Sequence, residues 1–296
     1  MTEEEQPEAE QPTERLDAPP TLVTPPIPVP GRNLKIAIAT GLALAALVIG
    51  FALVSSKAFF GLAFVVIIFA QGEFYKSTRS AGYDPATSLG LAAGAVLLIG
   101  VFLKGPDAAG LVMFLTILFC LIWYIAVEPR ADLLSDIAVT IFGVAYVPLL
   151  GSFAGLLAAR PEDGGPVIIA VIGATAFYDI FAYAGGSRFG KTPLAPEISP
   201  KKTREGALVA TAGTMILVTA VAPLLGPWNF AQAAVFAVLV SIAAPLGDLL
   251  ESLIKRDLAI KDMGTLFPGH GGALDRIDAI LFTLPVAYLS LVMFGL

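Results

Sequence analysis

Charge is what this sequence has least of. Only 14% of its 296 residues are Asp, Glu, Lys or Arg, against 56% apolar and a mean hydropathy of +0.81. A water-soluble domain carries about 25% charged residues, so an ordinary soluble globular fold is excluded. Cysteine is nearly absent: Cys120 is the one example, inside an apolar run. That excludes an intramolecular disulfide and a cysteine-cluster zinc site, and a core position accounts for Cys120 better than a nucleophilic role. His270 is the one histidine, so no histidine cluster exists to bind zinc. There is no convincing internal repeat, which weakens a reading as an inverted-repeat transporter. The weak ten-residue alternations of a transmembrane barrel are missing as well.

What is present is a series of apolar runs near 20 residues, each long enough to cross a hydrocarbon layer of about 30 Å as a helix. Nine spans are predicted: 36–54, 58–74, 86–103, 108–127, 137–158, 167–186, 206–225, 230–254 and 275–295. The fold class is therefore all-α, a polytopic transmembrane helical bundle. Only Ser55, Ser56 and Lys57 separate the first two runs, while Pro223, Gly226 and Pro227 close the seventh sharply.

Residues 1–34 differ in kind. They hold seven acids, two bases and eight prolines without helical apolar periodicity, which reads as a disordered, acidic, Pro-rich cytoplasmic tail. The basic start and apolar centre of a secretory signal are lacking there. The expected organisation is that tail at 1–34, N-terminal transmembrane helices at 35–165, and C-terminal transmembrane helices at 166–296 carrying the site.

Cytoplasmic loops carry an excess of Lys and Arg. With the N-terminus inside, Lys57, Lys104 and Arg160 fall outside and the other 15 of 18 bases (18 minus 3) fall inside or at inner helix ends. This predicts a multi-pass protein of the cell membrane with its N-terminus cytoplasmic. Residues 187–206 and 255–276 then face the cytoplasm and hold the densest basic sequence.

The order of residues in and beside these loops points to chemistry. Asp248, Glu251, Ser252 and Lys255 are spaced i, i+3, i+4 and i+7, which is one face of a helix. Ionisable side chains near a membrane face the protein interior or a watery cavity. An ion pair at a helix end has the same spacing as half of a metal and phosphate site. Next comes Lys261 to Gly272, with four glycines and a proline in nine residues, able to bring backbone N–H groups close to an oxyanion. Asp275 and Asp278 follow at i, i+3, where a helix start favours negative charge. Hard carboxylates beside phosphates suit Mg²⁺, though a helix cap or an Arg partner also explains Asp275. His270 is either structural or a hydrogen-bond partner of phosphate. Asp179 shares a face with Ala182, Tyr183 and Gly186 and is expected to point inward. Ser199 to Gly206 places Lys201 and Lys202 beside hydroxyls and a turn, which suits a polyphosphate. Glu73, ending the second span, either snorkels to the interface or joins the site.

The stretch from Ser252 to Asp278 resembles the signature of the phosphatidate cytidylyltransferase family. The residues that match are Ser252, Lys255, Arg256, Lys261, Asp262, Gly264, His270, Gly271, Gly272, Asp275, Arg276 and Asp278. Ala273 stands where a larger aliphatic residue is usual. Upstream, Asp179, Ala182, Tyr183, Gly186, Phe189, Gly190 and Lys191 are similar to a second family segment. Ser199 to Gly206 is similar to a third, with Arg204 in a place that is often apolar. The resemblance covers 160–296 well and the first half only as a pattern of spans.

The resemblance implies a cytoplasm-facing site that uses CTP, phosphatidic acid and a divalent cation to make CDP-diacylglycerol and pyrophosphate. Carried over by position, Asp248 and Asp275 are metal candidates, joined by Asp278 on the same helix face as Asp275, with Mg²⁺ the expected ion. Ser252 and Lys255 would contact substrate phosphate. The implied substrate-binding set is Asp179, Lys191, Ser199, Lys201, Lys202, Arg256, Lys261, His270, Gly271, Gly272 and Arg276. The expected partners are CTP, phosphatidic acid and the lipid bilayer, with a homodimer as one way to cover apolar helix faces, and no nucleic acid. A CTP-dependent enzyme acting on another lipid phosphate or a polyprenol is the nearest rival. An ion-coupled transporter with Asp179, Asp248 and Asp275 as a relay is the rival from another class.

Overall fold

The computed structural model describes residues 34–126, 132–266 and 271–296, so the acidic N-terminal tail and His270 lie outside the described residues. Among the described residues, eight helical segments are long and apolar enough to cross a membrane, and the first helix adds a shorter apolar stretch, Ala43–Val54. Nine apolar segments therefore stand where the sequence predicts nine spans. Helices are the natural solution, because backbone N–H and C=O groups in hydrocarbon have no water to bond and must pair within the segment.

The first half runs α1 (Leu34–Val54), α2 (Ser56–Ser80), α3 (Thr87–Lys104) and α4 (Asp107–Ala126). The connection between α1 and α2 is a single residue, Ser55, whose hydroxyl accepts from Lys57 N at 3.2 Å and caps the new helix. α2 continues six residues past the predicted end of the second span, which carries Ser77 and Thr78 into the helix.

The fifth span, Leu133–Ala158, consists of α5 (Leu133–Val144), a π turn (Ala145–Leu149) and α6 (Phe153–Ala158). Pro148 inside the π turn has no N–H to give and its ring crowds the preceding turn, so the wider i→i+5 winding absorbs it. Buried polar ties hold this half together. Gln71 Nε2 donates to Gly90 O at 2.8 Å, Tyr75 Oη donates to Thr140 O at 2.7 Å, and Thr140 Oγ1 accepts from Ala86 N at 3.0 Å. In a membrane each such bond contributes about 0.6 kcal/mol, so they fix register more than they supply stability.

The second half contains α7 (Gly164–Phe189), a short antiparallel hairpin of β1 (Pro193–Ala195) and β2 (Ser199–Thr203), α8 (Arg204–Leu225), α9 (Phe230–Asp257) and α10 (Leu274–Phe294). α8 is capped by Thr203, which accepts from Gly206 N, and α9 opens with an Asn229–Gln232 capping box. α7, α8, α9 and α10 pack in succession, and α10 also reaches back to α2, α6 and α7. Stacked Trp228 and Phe236 rings, 4.7 Å apart, sit in the core. On α4, Leu111, Phe114, Ile117, Leu121 and Ile125 remain exposed, as side chains facing lipid would be. In the turn between α6 and α7, Arg160 is held by Asp163 through two bonds of 2.6 and 2.7 Å. The Asp163 carboxylate raises the Arg160 pKa above its usual value.

Candidate active site

The polar stripe on α9 is realised as spacing predicts, and its members differ in burial. Glu251 is fully buried and Ser252 nearly so, while Asp248 stands partly open to solvent. Lys255, one turn beyond Glu251, forms an ion pair with it and donates to Asp275 Oδ1 at 2.9 Å. Asp248 forms an ion pair with the Lys202 ammonium from β2, and Ser252 Oγ lies 3.5 Å from Asp248 Oδ1.

α9 meets α10 closely because residue 247 is glycine. A Cβ there would lie 3.0 Å from Ala279 Cα and run into the carbonyl of Asp278. This approach sets Asp248 and Glu251 on one helix against Asp275 and Asp278 on the other. The Asp278 carboxyl is within electrostatic reach of both Glu251 and Asp248. Lys202 and Lys255 sit among these acids and offset part of their charge.

The loop between α9 and α10 folds back on Asp275. Its Oδ2 accepts from Met263 N at 2.9 Å and from Gly272 N at 2.8 Å, so an aspartate in the first turn of α10 ties down both arms of the loop. Gly271 takes a φ of +80°, a left-handed conformation open to glycine at little cost, and a Cβ there would come within 2.8 Å of Asp275 Oδ2.

α2 contributes from the other half of the chain. Glu73 Oε2 accepts from Leu274 N at 3.1 Å, and Ser77 Oγ donates to Met263 O at 2.8 Å. Tyr146, in the π turn, has a buried hydroxyl with no hydrogen-bond partner among the described residues and lies within electrostatic reach of Glu251, Asp278, Asp248 and Asp275.

From α7, Asp179 is solvent-accessible and within electrostatic reach of Asp278, Asp248, Lys202 and Arg276. The structure thus gathers Asp179, Lys202, Asp248, Ser252, Lys255, Asp275, Arg276 and Asp278 from the sequence-derived set. Arg256 is exposed and donates to Ile198 O at 3.3 Å, tying α9 to the hairpin. Lys191, Lys201 and Lys261 are exposed and form no ion pair among the described residues, and Ser199 is half-buried on β2. Glu251 and Tyr146 were not in the sequence-derived set. Glu251 lies on the stripe already recognised, whereas no local pattern marks Tyr146.

Among the described residues no three His, Cys, Asp or Glu side chains form a ready-made metal cage. The donor set nonetheless suits Mg²⁺, which takes one or two carboxylates and completes its shell with water and substrate oxygens. A separate cavity of about 410 Å³, lined in part by Arg79, Asp84, Ser88 and Trp123, includes none of the acids described here.

The model of the Cytidylyltransferase family matches residues 35–294. The chain is 36% identical to a phosphatidate cytidylyltransferase of Mycobacterium leprae over 288 residues, 89% of each chain. It is 33% identical to that of Mycobacterium tuberculosis over 287 residues, 88% of this chain and 83% of the relative. With that of a Synechocystis species it shares 30% over 261 residues, 77% of this chain and 86% of the relative. A match that begins at the first helix and ends within the last places this chain in the cytidylyltransferase family.

Proposed function

We propose that this chain is a phosphatidate cytidylyltransferase, a nucleotidyltransferase that converts CTP and phosphatidic acid to CDP-diacylglycerol and pyrophosphate. The observation that carries the reading is the meeting of acids and lysines where α9, α10 and the hairpin come together, built from the residues of the family signature. Relatives named for this activity align over most of the chain.

The reaction joins a phosphate oxygen of phosphatidic acid to the α-phosphorus of CTP while the bond from that phosphorus to the β-phosphate bridging oxygen breaks. The nucleophile is already an anion near neutral pH, so no strong general base is needed. The protein must hold two polyanions together and offset the charge that spreads over the reacting phosphate. Lys202 and Lys255 are placed for that work, and Arg276 supplies a planar guanidinium able to hold a phosphate through two bonds. Lys191, Lys201 and Lys261 extend the positive field to the rim. Ser252 offers a hydroxyl beside Asp248. One or two carboxylates from among Asp248, Asp275 and Asp278 would hold Mg²⁺, which when bound neutralises phosphate charge and polarises the phosphorus–oxygen bond.

The acids and lysines gather beside the basic sequence predicted to be cytoplasmic. The reading therefore includes a multi-pass position in the cell membrane, with the site facing the cytoplasm and the acyl chains of the substrate left in the bilayer. A homodimer would cover part of the exposed apolar surface, and crosslinking in native membranes would reveal it.

The test is product formation by detergent-purified protein from labelled CTP and phosphatidic acid, with and without Mg²⁺. Metal-dependent CDP-diacylglycerol and pyrophosphate are expected. A folded protein that makes neither, yet transfers the nucleotide to another lipid phosphate or a polyprenol, would overturn the substrate assignment.

A further inference from the structure

α10 begins without a cap of its own. Ala273 occupies the N-cap position and offers no side-chain hydrogen bond, although the first N–H groups of any helix need partners. The partner comes from 201 residues earlier in the chain. The Glu73 carboxylate accepts from Leu274 N at 3.1 Å. A carboxylate at this end of a helix is further favoured by the helix dipole.

The loop closes around the same side chain from both directions. A Cβ added at either Gly264 or Gly272 would run into the Glu73 carboxyl group, so these two glycines leave room for it. One turn along α2, Ser77 Oγ donates to Met263 O at 2.8 Å. Met263 N and Gly272 N are the two amides that grip Asp275 Oδ2. Two connections therefore run from α2 to Asp275, one through Ser77 and Met263, the other through Glu73 and the start of α10. A snorkelling acid would turn its carboxylate to water; this one is half-buried, and its Oε2 accepts the Leu274 backbone N–H.

We infer that Glu73 is a positioning residue for nucleotidyl transfer, holding Met263, Gly264, Gly272 and the first turn of α10 in the arrangement that presents Asp275 to the reacting phosphates. Ser77 is its lesser partner. The inference rests on the cytidylyltransferase reading above, and wild-type turnover checks that reading separately.

The experiment compares Glu73→Ala, Glu73→Gln, Ser77→Ala and Gly272→Ala in detergent-purified full-length protein. Misplacing a reacting group by about 1 Å costs about 100-fold in rate. Glu73→Ala is expected to lower kcat by about 10- to 100-fold, with KM for CTP changed by less than about threefold. Glu73→Gln keeps an acceptor oxygen and is expected to stay within about fivefold of wild type. Ser77→Ala should fall between the two. Gly272→Ala pushes on the carboxylate and should match Glu73→Ala, but should add little in the Glu73→Ala background, where the space has been vacated. Hydrogen exchange gives a readout independent of turnover: amides of 263–266 and 271–275 should exchange faster in Glu73→Ala, with α3 and α4 unchanged. A wild-type kcat in Glu73→Ala overturns the inference. So does a rise in KM for CTP as large as the fall in kcat, which would place Glu73 on the substrate. If Glu73→Ala fails to fold, Gly272→Ala and Glu73→Gln decide: an active Gly272→Ala or an inactive, folded Glu73→Gln also overturns it.

Discussion

Lys255 and Asp275 face each other across the α9–α10 contact, with Nζ 2.9 Å from Oδ1, and the same ammonium also holds the buried Glu251. One cation serves two acids on two helices. Removing it would leave Glu251 uncompensated beside Asp278, and breaking a buried pair from one side costs about 3–5 kcal/mol. Lys255→Met should therefore both abolish turnover and lower thermal stability in detergent. Adding Glu251→Gln removes the stranded charge, so the double variant should regain stability without regaining activity. Thermal unfolding followed by tryptophan fluorescence, beside turnover, checks both. Activity returning with stability would reduce Lys255 to a structural role.

The acids of the site differ in exposure and in how they are held. Asp275 is nearly inaccessible and anchored by Lys255 and two amides, whereas Asp248 is partly exposed and paired with Lys202. Asp248→Asn and Asp275→Asn should each lower kcat by at least about 100-fold, the scale for losing one preorganised electrostatic contact. Asp248→Asn should leave stability nearly unchanged, since partly exposed pairs contribute about 0–1 kcal/mol. Near-normal turnover by both variants at saturating Mg²⁺ would sink the metal assignment.

Much of this was legible in the sequence, for a local reason. Apolar runs fix nine segments, and helical spacing sets Asp248, Glu251, Ser252 and Lys255 on one face, because both signals lie within a few turns of a single helix. The π turn at Pro148 and the six extra residues of α2 were not legible, since packing against neighbours decides where a helix bends or stops. Glu73 and Ser77 illustrate the larger limit. Their partners, Leu274 and Met263, lie 201 and 186 residues away, and no spacing rule spans such a separation. Glu73 was recognisable as an acid at the end of an apolar span, but not as the cap of α10.

The adjacent lysines of the hairpin look equivalent in sequence and are not. Alternation along a strand sends successive side chains to opposite faces, and here Lys201 is exposed while Lys202 turns in to pair with Asp248. Lys202→Ala is expected to lower kcat/KM for CTP by about 10- to 100-fold, the loss of a charge-assisted contact worth about 1.5–3 kcal/mol. Lys201→Ala should stay within about threefold and respond more to salt, as exposed charges do. Steady-state kinetics at two ionic strengths separates the two, and equal losses would mean that the hairpin presents both faces to substrate.

Gly271 offers a test of backbone shape with no charge removed. Its φ of +80° sets the turn from which Gly272 N reaches Asp275 Oδ2. Alanine there meets two obstacles: a left-handed backbone costs an L-residue about 1–2 kcal/mol, and the new Cβ would sit 2.8 Å from the oxygen that accepts the Gly272 amide. Either the turn opens or Asp275 swings aside, and both displace the carboxylate from its two amide donors. Gly271→Ala should lower kcat by about 10- to 100-fold while the transmembrane helices keep their circular dichroism and the protein stays monodisperse in detergent. Full activity in that variant would show that catalysis tolerates a displaced Asp275, and would remove this residue from the centre of the proposed mechanism.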